Sequence, residues 1–310
     1  MKSTPSDKKK ILVPVDGSER ALATIRYIAR FKPFAGTKVV LFNVFNKVPD
    51  YYWDLTNEPM MIQRGGGAHL AAWESHNRDL IETFMKKSTA LLRTSGFKPE
   101  DIIIKIQNRK KGIARDIIAE ARKGYAAVVT RRRGFSRVPG LLVGSTADKL
   151  LSALDFVPLF FVGKEPPTNK ILIAMDTSDS AMKAVEYIAE TVGPFGYEFT
   201  LIHVVRQNEF LQEDQSTNEI VIQDQNLIHQ CFNQAKEKLV QAGANPETVD
   251  TKIVTGVGSR AGTIAREAAA GGYSTIVLGR RGLSRVKAFL VGRVSKKVVY
   301  AANKRTVCIV

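Results

Sequence analysis

The sequence predicts two tandem α/β domains, each a doubly wound, five-stranded parallel sheet with helices on both faces. Three observations predict it. The chain repeats itself. Short apolar runs alternate with longer helical patterns. Those runs lack the polar alternation of a half-exposed strand, so they read as strands buried on both sides.

The repeat is visible at both ends of each half. Ile11-Leu-Val-Pro-Val-Asp16-Gly-Ser18 resembles Ile171-Leu-Ile-Ala-Met-Asp176-Thr-Ser178, and each is followed by Tyr-Ile-Ala, at Tyr27–Ala29 and Tyr187–Ala189. Arg132-Arg133-Gly134-Phe-Ser-Arg-Val matches Arg280-Arg281-Gly282-Leu-Ser-Arg-Val in all but one position, and Leu-Val-Gly follows at the same distance, ending at Gly144 and Gly292. Between the copies, Lys164-Glu-Pro-Pro-Thr-Asn169 reads as a stiff linker. The expected domains are therefore 1–164 and 165–310.

The elements follow in order. In the first half, strands are expected near 10–15, 37–45, 101–107, 125–130 and 157–162, and helices near 18–31, 75–95, 112–123 and 145–154. In the second half, strands fall near 170–175, 197–205, 250–254, 273–279 and 305–310. Its helices fall near 178–191, 224–242, 259–270 and 292–302. Ser18 and Ser178 stand where helix N-caps belong. The stretch from Asn46 to Ala71, with Tyr51, Tyr52, Trp53 and Gly65–Gly67, has no clear period and reads as a long loop, either packing or mobile, or a lid.

Composition narrows the classes. The chain has 310 residues, 44% apolar and 25% charged, which excludes a disordered, collagenous or coiled-coil protein. Lys and Arg total 46 against 30 Asp and Glu, a net charge of +16 that suits anionic partners. No run of residues is long and apolar enough to span a membrane. Two distant cysteines, Cys231 and Cys308, make no disulfide framework. These features fit a cytoplasmic protein. The four histidines, His69, His76, His203 and His229, form no metal-ligand spacing, and His203 reads as a satisfied histidine within an apolar strand. No phosphoryl-transfer loop is present, so at most slow ATP hydrolysis is expected, not an enzyme.

In a doubly wound sheet, ligands sit beyond the carboxyl ends of the strands at the switch in strand order. Asp16 and Asp176 each end a first strand and read either as helix-capping carboxylates or as acceptors for ribose hydroxyls. Gly279-x-x-Gly282, nine residues, then Gly292 follows a fourth strand. Glycines there let backbone approach a phosphate at a helix N-terminus.

This pattern resembles the universal stress protein family in its tandem form, over essentially the whole chain. The resemblance implies strand order 3-2-1-4-5 and binding of an adenine nucleotide, ATP, with Mg²⁺. It implies that Asp16 and Asp176 face the adenosine, that Val44 and Val204 contact adenine, and that the glycine loops hold phosphate. The implied first-half set is Asp16, Ser18, Val44, Thr130, Arg131, Gly134, Gly144, Ser145 and Thr146. The second-half set is Asp176, Ser178, Val204, Leu278, Gly279, Arg281, Gly282, Gly292, Arg293, Val294 and Ser295.

Neither half keeps the whole family pattern. Arg131 replaces the first glycine, and Arg293 replaces the Ser or Thr. Only glycine solves a steric problem, whereas several donors can replace a hydroxyl, so the second half is the expected site. The alternative is a tandem module without nucleotide, acting through protein partners. Its halves would pair with each other or the chain would form a homodimer, through the closing strands 157–162 and 306–310. That reading expects arginine side chains to fill the nucleotide cavity. Nucleic acid is the weaker third reading, because no aromatic-interleaved basic strand accompanies the charge.

Overall fold

The computed structural model describes residues 8–47, 66–132, 143–206, 215–256, 258–282 and 291–310. The first half runs β1 (Lys10–Pro14), α1 (Leu22–Arg30), β2 (Lys38–Phe45), α2 (Gly66–Thr94), β3 (Ile102–Asn108), α3 (Ile113–Ala121), β4 (Ala127–Arg131), α4 (Ser145–Ala153) and β5 (Leu159–Val162). The second runs β6 (Lys170–Ala174), α5 (Asp179–Val192), β7 (Glu198–Arg206), α6 (Gln215–Gln241), β8 (Val249–Gly256), α7 (Arg260–Ala270), β9 (Thr275–Leu278), α8 (Arg293–Ala301) and β10 (Thr306–Ile309).

Each half has the order 3-2-1-4-5, with all strands parallel, and the two sheets are one. β5 pairs antiparallel with β10, joining the halves into a ten-stranded sheet. Phe160 faces Cys308, its own counterpart in the repeat, at the centre of that pairing. The helices α1, α2, α5 and α6 cover one face and α3, α4, α7 and α8 the other. Successive strand residues serve opposite layers: Ile11 and Val13 pack into the first, Leu12 into the second. Each apolar layer is continuous across both halves.

Three expectations meet differences. α2 and α6 start earlier than their apolar stripes, because their first turns are polar or glycine-rich and show no 3.6-residue signal. Of the stretch from Asn46 to Ala71, residues 48–65 lie outside the described residues, and 66–71 already belong to α2. β3 is an edge strand and not buried on both faces; Ile103, Ile104 and Ile106 stay largely exposed.

The repeated tyrosine is a tie between halves. Tyr27 on α1 shares a 3.3 Å hydrogen bond with Thr275 on β9. Its counterpart Tyr187 on α5 donates to the Ala126 carbonyl, 3.5 Å away, beside β4. Around them Phe31 stacks edge-on to Tyr197 of the other half at 5.7 Å, and Phe34 edge-on to Phe160 at 5.4 Å.

Candidate functional site

At the carboxyl ends of β1 and β4, where the chain reverses its direction across the first-half sheet, lies a cavity of about 560 Å³. That lies within the ~300–1,000 Å³ of small-molecule sites. Eight of the nine expected first-half residues line it: Asp16, Ser18, Val44, Thr130, Arg131, Gly144, Ser145 and Thr146. The ninth, Gly134, lies outside the described residues.

Local chemistry places each group. The Ser18 amide donates to Asp16 Oδ1 at 3.0 Å, which turns the chain off β1, and Ser18 Oγ accepts from the Ala21 amide at 3.2 Å. Opposite, the Gly144 amide donates to the Arg132 carbonyl at 2.7 Å, so α4 opens against the end of β4. Ser145 and Thr146 are the first residues of that helix, whose unpaired amides and dipole favour an anion. Arg131 lines the same wall. Burial, and repulsion from Arg20, lower its pKa against the attraction of Asp16.

Sequence reasoning missed further lining residues, among them four that β2, α2 and α3 bring to the cavity. Asn43 breaks the apolar run of β2 and holds the Val15 carbonyl through Nδ2 at 2.8 Å. Trp73 and Asn77 stand one helical turn apart on α2, ahead of the apolar stripe that marks the helix, and Ile113 opens α3. The buried atoms Asn43 Oδ1 and Arg132 Nε have no hydrogen-bond partner, and both residues line the cavity. The acceptor left unmade at Asn43 fits a polar ligand, since it costs about 1–3 kcal/mol while unpaired, whereas the guanidinium of Arg132 is turned to the other half.

The second half, expected from its glycines to be the site, is built differently. A Cβ on Gly279 would stand 2.5 Å from the Ser180 backbone, so this glycine lets α5 pack against the strand end. A Cβ on Gly282 would stand 2.5 Å from Asp176 Oδ2, so the loop rests directly on the carboxylate. Asp176 Oδ1 accepts from the Ser178 amide and hydroxyl, and the Arg281 amide donates to Ser180 Oγ at 3.1 Å. Ser178 is the N-cap of α5, accepting from the Ala181 amide. Ser295 donates to the Gly279 carbonyl at 2.8 Å, and Leu278 is core. Gly292 sits beside Arg281 and N-caps α8, which Arg293 and Val294 open. Val204 gives its carbonyl to Arg260 Nε at 3.2 Å. His203, the counterpart of Asn43, places Nδ1 2.8 Å from the Met175 carbonyl.

The difference between halves has a steric root. Arg131 stands where Gly279 stands, and its Cβ excludes the approach that glycine permits. The turn at residues 18–24 is correspondingly held by i to i+3 bonds, Ala21 to Ser18 and Thr24 to Ala21 among them. α1 begins at Leu22, the counterpart of Met182, whereas α5 begins at Asp179. Ser18 and Ala21, in the looser turn, line the open cavity.

Two arginines of the repeated loops turn away from any ligand role as phosphate clamps. Arg132 donates to the Asn303 and Arg305 carbonyls of the other half, and Arg280 to those of Leu151 and Leu154. Arg280 meets the C-terminal end of α4, where free carbonyls favour a cation, and Arg132 meets the connection between α8 and β10. Burial pulls Arg132 down to about 9 and Arg280 down to about 10, so both stay charged at neutral pH.

Fold and cleft define a tandem of doubly wound α/β domains with a ligand cavity at a strand-order switch. The universal stress protein family model matches residues 8–156 and again 167–310, and the chain belongs to that family. It is 31% identical over 141 residues to a universal stress protein of Bacillus subtilis (strain 168), YxiE, covering 42% of this chain and 90% of the relative. Among solved structures, a universal stress protein from Archaeoglobus fulgidus DSM 4304 matches with a TM-score of 0.61 at 19% identity, over 98% of both chains. One from Pseudomonas aeruginosa UCBPP-PA14, itself described as putative, matches with a TM-score of 0.57 at 14% identity, over 98% of this chain and 93% of that one. Both likenesses concern the fold. Family membership supports a role in the stress response. Among the described residues, no helix is long and apolar enough to cross a membrane.

Proposed function

We propose that the chain is a regulatory, cytoplasmic stress protein that binds an adenine nucleotide, ATP, in the first-half cavity. The observation that carries this reading is the cavity itself, which brings Asp16, Val44 and the Gly144–Thr146 helix start around one space at the switch point. Asp16 would accept from ribose hydroxyls. The amides and hydroxyls at Ser145 and Thr146, with Arg131, would hold phosphate, and Mg²⁺ would share that charge. Asn43 and the Val44 edge would meet the base. Binding would order the cleft and shift a conformation that a protein partner reads.

Titration calorimetry of nucleotide-stripped protein with ATP and Mg²⁺ tests this. One site per chain is expected. Asp16→Ala is expected to weaken binding at least tenfold, about 1.4 kcal/mol, whereas Asp176→Ala leaves it unchanged. Absence of both heat and a melting-temperature shift in the wild type would reject the reading.

A further inference from the structure

The repeat lets each residue of the open cleft be compared with its counterpart in the second half. Strand register equates Val44 with Val204, and the lengths of β3–α3 and β8–α7 equate Ile113 with Arg260. Ile113 and Val44 line the first-half cavity. At the same place in the second half, Arg260 sends its guanidinium back onto the Val204 carbonyl at 3.2 Å, half-buried. The Ser259 cap, accepting from the Gly262 amide at 3.1 Å, fixes the start of α7 and so the origin of that side chain.

We propose that Arg260 is an internal occupant of the second-half cleft, and that Ile or Arg at this position determines which half admits a ligand. The proposal rests on the nucleotide reading of the first half and names the residue that restricts it there. A short apolar side chain at 113 leaves the end of β2 open. A guanidinium at 260 fills the corresponding space and satisfies the carbonyl that lines it, so an incoming ring would have to displace a made, charge-assisted hydrogen bond.

The test is a residue exchange in the full-length chain, read by calorimetric stoichiometry with ATP and Mg²⁺. R260I and R260A are both made, so that one misfolded variant does not decide the matter; circular dichroism and melting temperature check the fold. The expected result is one site in the wild type and two in either folded variant. The reverse exchange, I113R, is expected to lose at least tenfold in first-site affinity. Folded R260I and R260A that still show one site overturn the proposal, as does I113R at wild-type affinity. Two sites in the wild type overturn it while leaving the nucleotide reading intact. A wild type that takes up no ATP defeats the nucleotide reading, and the proposal then stands only if R260I gains a site.

Discussion

At the scale of single residues, equal positions of the repeat do unequal work. Gly279 and Arg131 occupy the same place, yet one is a packing glycine and the other a cavity wall. Gly279→Ala would drive a Cβ to 2.5 Å from the Ser180 backbone, which cannot yield as a side-chain tip can. The expected cost is about 1–3 kcal/mol, as for overpacked cores, measured by urea denaturation. Gly292→Ala, whose nearest neighbour would be 3.3 Å away, is expected to cost less. Tyr27 is a second case. Burial raises its hydroxyl pKa, and the group stays neutral and bonded to Thr275. Tyr27→Phe leaves that buried threonine without its partner, so a loss of about 1 kcal/mol is expected in the same assay.

At the scale of elements, the edge strands are held by a duplicated ion pair. Lys105 on β3 meets Glu120 on α3 at 2.6 Å, and Lys252 on β8 meets Glu267 on α7 at the same distance. Glu120 is the more enclosed, with its side chain 3% exposed, and it also accepts from Lys123 and Tyr125. Its burial alone would raise its pKa, but the bonds from Lys105, Lys123 and Tyr125 outweigh it and bring the carboxyl down to about 2 from 4.5. A depressed folded pKa stabilises above the unfolded value and loses that contribution as pH falls through the folded one. The wild type is therefore expected to lose stability between about pH 4.5 and 2. Glu120→Gln should lower the neutral-pH melting temperature and flatten this part of the acid profile. A profile unchanged by the substitution would remove the ion pair from the account.

At the scale of the whole molecule, the halves share one sheet and two continuous apolar layers. Leu159, Phe160 and Phe161 and their partners Val307, Cys308 and Ile309 are buried at the seam. Arg132 and Arg280 cross it in opposite directions. Unfolding one half alone would expose that seam, so calorimetric melting is expected to give a single transition. Two resolved transitions would contradict the coupling. Arg280→Met should lower that transition, since the carbonyls of Leu151 and Leu154 would lose a charged donor, at about 1–3 kcal/mol.

Much of this was legible in the chain because it rests on local rules. The repeated Asp–Ser turns, the apolar strand runs and the Gly144 and Gly292 helix starts determine the elements, their order along the chain and the end of the sheet where the cavity lies. Spacing along one strand or one helix is enough to read them. The sequence by itself could not show which residues surround the first-half cavity. It could not show that a Cβ at 279 would meet a helix turn far away in the chain, or that Arg260 reaches the Val204 carbonyl. Nor could it assign Tyr27, Tyr187, Arg132 and Arg280 to the seam, because their partners lie in the other half. Those outcomes were decided by tertiary packing, which alone brings distant backbone to within ångströms of a side chain.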